Sequence, residues 1–373
     1  VGNNLMSADT PQHANMPPPR RGLMRSGLVV SAMTMLSRVM GLVRDVVVAT
    51  FLGAGNGSDA FFVAFKIPNF LRRLFAEGAF NQAFVPVLSE YSTQRTKQEI
   101  RELLNAVAGS LTALLALITA LAMLGAPWLV WLFAPGFGRD PEKLALTADM
   151  LRLTFPYLLL ISLTAFSGSV LNTWNRFAVP AFTPVLLNIS LIGAALLLMP
   201  LMEEPAMALA WGVLIAGAAQ LAFQVPFLLR LGLLPTPWPN FAHDGVKRIL
   251  KLMVPALFGV SVSQINLLLD TVLASLLAAG SVSWLYYSDR LVELPLGVFG
   301  VAIGTIILPA LSKRHAEQST EHFSAMLDWA IRVVLLLGVP AALALAILAE
   351  PFLITLFHYG AMTDNDIQMA AMS

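Results

Sequence analysis

Five arginines stand in stretches otherwise apolar enough for a lipid bilayer: Arg38, Arg44, Arg72, Arg73 and Arg290. Guanidinium groups stay charged at any physiological pH and grip phosphate through two parallel hydrogen bonds. Ionisable groups at membrane depth are costly and persist where they face one another or a watery cavity. Arg38 and Arg44 are six residues apart, about 120° around a helix, and Asp45 follows Arg44 directly. Arg73 precedes Glu77 by four residues, a salt-bridge spacing on a helix. Asp289, Arg290 and Glu293 repeat the mixture later in the chain. Several cavity arginines against few free acids suit a polyanionic ligand such as a diphosphate. The blander alternative is that Arg72 and Arg73 snorkel to a membrane surface while Asp–Arg pairs knit helices together. For Arg44 and Arg73 both readings stand; Arg38, Arg72 and Arg290 point to the ligand.

Asp270 is different. It sits in the apolar run LLLDTVLAS with no cation within a helical turn. A lone buried carboxylate must be protonated or hold a cation. Asp270 is thus a candidate sodium or proton site, with Thr271 and Asn266 as nearby oxygen donors. An Asp hydrogen-bonded to a neighbouring helix explains it equally well.

The elements carrying these residues are apolar runs near the roughly 20 residues needed to cross a bilayer. They cover 27–51, 59–88, 103–133, 150–171, 182–199, 206–229, 249–279, 284–311 and 325–348, with a tenth starting near 352. Of 373 residues, 57% are hydrophobic and 12% charged, half the charge of a soluble protein. The fold expected is all-α and polytopic. The net charge of +1 suggests no nucleic-acid partner, and the absence of Cys excludes disulfides, thiolate metal sites and a cysteine nucleophile. Five scattered histidines argue against a metal site. The polar, Pro-rich residues 1–22 read as a disordered tail. Every loop Lys or Arg except Arg139 and Lys143 falls on the side of the N-terminus, which places that side in the cytoplasm.

An internal repeat organises the runs. DVVVATFLGAG at 45–55 matches DTVLASLLAAG at 270–280, and FVPVLSEY at 84–91 matches ILPALSKR at 307–314. The copies are 225 residues apart at Asp45 and Asp270 and 223 apart at Pro86 and Pro309. An even number of runs separates them, so they point the same way, related by an axis along the membrane normal. The expected units are residues 23–230, a first six-helix half, and residues 231–373, the start of a second. Their first two helices face each other across a central cavity.

SRVMGLVRD at 37–45, GAGNGSDAFFVAFKIPNFLRRLFAEGAFNQAFVPVLSEY at 53–91, LNTWNRFAVPAFTPVLLNIS at 171–190 and SVSWLYYSDRLVELPLGVFGVAIGTIILPALSKR at 281–314 carry a family resemblance. From about Leu23 onward the chain resembles the lipid II flippases (MurJ, formerly MviN). These belong to the superfamily of multidrug, oligosaccharidyl-lipid and polysaccharide exporters. The resemblance implies fourteen helices, of which this chain carries about ten, leaving the second half incomplete. It implies a bacterial inner-membrane protein that moves undecaprenyl-diphosphate-linked peptidoglycan precursor, lipid II, between leaflets for cell-wall synthesis. Arg38, Arg44, Arg72 and Arg290 match the family's cavity arginines. Ser37, Asp59, Asn69, Glu77, Ser283 and Glu293 match other positions that matter there. Asp270 matches a sodium ligand of some members. Partners expected are lipid II and proteins of cell-wall synthesis. No cofactor is expected beyond coupling to sodium or protons.

Three other readings compete. A cation-coupled multidrug exporter of the same fold would prefer acidic or aromatic cavity residues, and another polyprenyl-linked oligosaccharide flippase would share the arginines. A membrane enzyme acting on a prenyl diphosphate would need paired metal-binding acids, and neither a DDxxD, an HExxH nor a Walker pattern occurs. A non-transporting scaffold for cell-wall synthesis would bind the lipid without moving it.

Overall fold

The structure, a computed structural model, describes residues 21–295 and 320–373; the side chains of residues 21–26, 75–77, 262, 263, 267, 294, 295 and 320–323 lie outside that description. All its elements are helical. In order they are α1 (Arg21–Leu52), α2 (Asn56–Leu71), α3 (Phe80–Gln94), α4 (Lys97–Leu124), α5 (Ala126–Phe133), α6 (Pro141–Thr154), α7 (Pro156–Thr173), α8 (Ala178–Gly193), α9 (Pro205–Leu231), α10 (Asp244–Ser275), α11 (Ser281–Pro295), α12 (Thr320–Phe357) and α13 (Asp364–Met372). A π-helical stretch, Arg72–Ala79, joins α2 to α3 without a break. A π-turn absorbs extra residues in an α-helix. It falls in the part of the first repeat copy that is two residues longer between its turn and its proline than the second.

Local chemistry sets the boundaries. Thr96 caps α4, its hydroxyl accepting from the Glu99 amide while Glu99 accepts from the Thr96 amide. Asp140 caps α6 ahead of Pro141, and α9 ends on Gly232 in the left-handed region at φ +67°. The expected third run is two helices hinged at Gly125, and the fourth breaks between Thr154 and Pro156. The last expected helix needs correction. Position 352 belongs to α12, which runs on to Phe357, and the final helix starts at Asp364. The polar TDND is the start signal of that helix, because Thr363 and Asp366 form its capping box. The C-terminal part of the run 284–311, and with it ILPALSKR, lies outside the described residues.

Five described helices are long and apolar enough to cross a membrane, and a sixth when Asp244–Ser261 and Gln264–Ser275 count as one bent span. The ten runs expected exceed that number for local reasons. The second run is divided by its charged π-helical stretch, leaving α2 at 16 residues, and α11 is described over 15. Helices in a membrane gain little from the hydrophobic effect against one another and rely on close packing of small residues. The α7–α9 and α8–α9 contacts follow this rule: a Cβ at Gly217 would stand 2.9 Å from the Tyr157 ring, and one at Gly212 would stand 2.7 Å from the Ala194 methyl.

α1 packs on α8, and α2 packs on α6 and α9; between the two copies of the repeat, α2 also packs on α11. α10 lies against the π-helical stretch and α3. A third contact closes the end of the bundle bearing the α1–α2 turn. There Ala361 donates its amide to the Thr50 carbonyl (2.8 Å), with Gly53 and Gly360, both at positive φ, packed too closely for a Cβ.

Candidate functional site

An open cleft with a cavity volume of about 130 Å³ lies between α2, α10 and α11. α2 and the π-helical stretch contribute Phe62, Phe65, Lys66, Asn69, Phe70 and Arg73. α10 contributes Gln264, Leu268 and Thr271; α11 contributes Val282, Leu285, Tyr286, Asp289, Arg290 and Glu293. Positions from both halves thus form one wall, as the repeat led us to expect.

Arg290 is the best-held cation there. Its Nε is 3.1 Å from the Asp45 carboxylate on α1, and its Nη1 is 2.6 Å from Glu293. It donates to the Tyr286 hydroxyl at 2.9 Å and lies over that ring, 4.7 Å from its centre. The Tyr286 ring in turn stacks on Phe62 at 3.9 Å, and its hydroxyl donates to Asp45 at 2.8 Å. Arg290 keeps 30% of its side-chain surface exposed, so its guanidinium reaches the cleft while its back is braced.

Arg44 sits behind this wall. Only 11% of its side chain is exposed; it donates to Asp45 (2.7 Å), Tyr286 (3.0 Å) and the Asn188 side chain on α8 (3.0 Å). Asn188 also donates to the Ser37 carbonyl, which ties α8 to α1. In this structure Arg44 joins α1 to α8 and α11, and Ser37 takes part through its backbone. Arg72 donates to Asn69 at 2.8 Å at the cleft's edge. Arg38 is exposed on α1. Glu77 belongs to the π-helical stretch, and its side chain lies outside the described residues.

Asp59 and Ser283 build a second centre at the closed end. Asp59 is 1% exposed and accepts from Lys143 Nζ (2.8 Å), the Gly280 amide (2.8 Å), the Ser283 amide (2.9 Å) and the Ser283 hydroxyl (2.7 Å). A carboxylate of one half thus caps the N-terminus of α11 in the other, where amides point outward and the helix dipole favours negative charge. Lys143, expected in an exposed loop, is instead buried in α6 at 7% exposure, with its ammonium 4.2 Å from the Phe137 ring centre. It was detectable: Lys143, Thr147, Met150, Leu151 and Thr154 lie on one helical stripe, and all are buried.

The expectation for Asp270 also needs correction. It is exposed on α10 rather than buried, because that face of α10 is not covered by any described element; Leu269, Leu273 and Leu277 around it are exposed too. Thr271 is buried and lines the cleft, while Asn266 is exposed. Among the described residues no three His, Asp or Glu converge as a metal site would need.

A family model described as "Lipid II flippase MurJ" matches residues 48–373. A Haemophilus influenzae protein named "Probable lipid II flippase MurJ" is 51% identical over 354 residues, covering 91% of this chain and 69% of that protein. Among solved structures, "Lipid II flippase MurJ, inward closed conformation" superposes with a TM-score of 0.78 at 29% identity, over 92% of this chain and 70% of that one. An inward-facing multidrug resistance MATE family transporter of the MOP superfamily superposes with a TM-score of 0.68 at 14% identity, over 92% of this chain and 78% of that one; it shares the fold.

Proposed function

This chain belongs to the lipid II flippase MurJ family, and on that premise we propose that it carries lipid II from the inner to the outer leaflet of the bacterial inner membrane. It is a helical, multi-pass membrane transporter rather than an enzyme. The observation that carries the proposal is Arg290: a half-exposed guanidinium in a cleft between two repeat halves, braced from behind by Asp45 and Tyr286. Such a group is aimed and kept charged without being used up, which suits a diphosphate.

The headgroup enters the cleft while the prenyl tail stays in lipid. Arg290 and Arg72 take the diphosphate, with Arg38 on the approach along α1. Rocking of the halves then opens the end closed by Asp59 and Ser283, and the head leaves outside. No covalent bond is made or broken. Membrane potential, or a sodium ion or proton at the exposed Asp270, biases the cycle. Lys97, Arg101, Arg230 and Arg248 gather at the opposite end from Asp59, which supports a cytoplasmic N-terminus. Proteins that make and use lipid II are its natural neighbours.

The test is complementation of cells depleted of their own lipid II flippase. Survival with the native chain, and death with Arg290→Ala or Arg38→Ala at equal membrane levels, supports transport through an anion-gripping cleft. Survival of both variants refutes it.

A further inference from the structure

The repeat carries more than the fold. Ser58 and Ser283 are 225 residues apart, the spacing of the repeat at Asp45 and Asp270, and their hydroxyls touch at 2.9 Å. Equivalent residues in contact mark where the pseudo-two-fold axis passes. On one side of that axis the acid of α1, Asp45, holds the cation of α11, Arg290, at 3.1 Å. The repeat equivalent of Asp45 is Asp270 on α10, and that of Arg290 is Phe65 on α2, one residue before Lys66.

Lys66 lines the cleft together with Asp289 and Arg73. The two cations differ in how they are held. Arg290 has Asp45, Glu293 and Tyr286 in direct contact. Lys66 makes no direct ion pair or hydrogen bond through its ammonium among the described residues. The side chain is half-buried and shares the cleft lining with the amides of Asn69 and Gln264. A cation balanced by nearby carboxylates yet not bonded to them is set up to exchange their field for an anion of higher charge.

We infer that Lys66 is an anion-binding residue of the cargo site, facing the same cleft as Arg290 from the other copy of the repeat. Asp289, which lines the same cleft, competes for its ammonium until the phosphoryl groups of the headgroup arrive. The inference rests on the reading of the chain as a carrier of a diphosphate-linked lipid. Arginine fixes one phosphoryl group through its fork, and the compact ammonium follows the other on a flexible stem.

The experiment measures binding of undecaprenyl diphosphate to the purified full chain in lipid nanodiscs, with undecaprenol as the uncharged control. Lys66→Gln weakens diphosphate binding by about 10- to 100-fold, the worth of one hydrogen bond to a charged group. Lys66→Arg keeps binding within a few-fold. Asp289→Asn, which removes a competitor for the ammonium, tightens binding. A mere brace between α2 and α11 would instead make Lys66→Gln and Asp289→Asn shift affinity in the same direction, together with a lower melting temperature. That result overturns the inference, as does unchanged affinity in Lys66→Gln when Arg290→Ala has lost binding. If the native chain binds the diphosphate no better than undecaprenol, the carrier reading itself fails, and the inference with it. Should Lys66→Gln not fold, Lys66→Arg and Asp289→Asn decide the matter: retained binding in the first with tighter binding in the second supports the inference, and weaker binding in Asp289→Asn overturns it.

Discussion

Replacing Asp59 with Ala removes the carboxylate that joins the two halves at the closed end. Four donors lose their acceptor at once: Lys143 Nζ, the Gly280 and Ser283 amides and the Ser283 hydroxyl. The orphaned ammonium is 7% exposed, so water reaches it poorly. Removing one partner of a buried pair costs about 3–5 kcal/mol, and at 1.4 kcal/mol per tenfold this is about a hundredfold to a few thousandfold in the closed-to-open ratio. Lys143→Met is gentler, about 1–3 kcal/mol, because the carboxylate keeps three donors and its place at the α11 N-terminus. Both substitutions favour opening, with Asp59→Ala the stronger. The chain has no cysteine, so spin labels can be attached at Asn56→Cys in the first half and Leu277→Cys in the second, both exposed. Electron-electron resonance then reads the distance between the outer ends. A longer population is expected to dominate in Asp59→Ala and to appear partially in Lys143→Met. An unchanged distance distribution in Asp59→Ala, in a protein that retains its native melting temperature, would refute the reasoning.

Three further outcomes follow from the geometry. Tyr286→Phe removes the hydroxyl that serves Arg44, Asp45 and Arg290 together; it should weaken anion binding about 5- to 30-fold, at about 1–2 kcal/mol, while the ring's stacking on Phe62 preserves the melting temperature. Gly360→Ala forces a side chain into the left-handed region and against the Thr50 backbone, so the melting temperature should fall, with about 1–2 kcal/mol from the conformation alone. Gly109→Ala drives a Cβ into the backbone of Trp238 and Pro239, where the segment between the halves lies on α4 through Thr236–Asn105 and Asn240–Ser110 bonds. Faster limited proteolysis within residues 233–240 should report its release.

Much of the frame was legible in the chain. The runs expected at 103, at 150 and near 352 missed the starts behind the caps Thr96, Asp140 and Thr363, because each of these helices opens with a polar turn that apolar content does not mark. The facing of α2 and α11 was legible from the repeat, since two copies of one motif must be related by an axis. Arg290 was legible as a cleft residue because a cation in an apolar run needs a polar surface to face, whereas Asn69 came only from the family resemblance. Arg44 was not distinguishable from them, since a bracing arginine and a binding arginine have the same neighbours in sequence. Asp270 looked buried because its own run is apolar, although exposure depends on what packs beside it.

The sequence by itself determined that this is a helical membrane chain, roughly where its apolar runs lie, and that it carries an internal repeat. Those properties follow from apolar content and periodicity, which act over one turn or one bilayer thickness. Only the tertiary structure decided that Lys143 neutralises Asp59 across 84 residues, that Asn188 steadies Arg44 across 144, and that Tyr286 joins Arg44 to Arg290. Charge pairing becomes selective only when packing has excluded water and brought groups within a few ångströms. Which groups those are depends on helix crossings that no local stretch specifies.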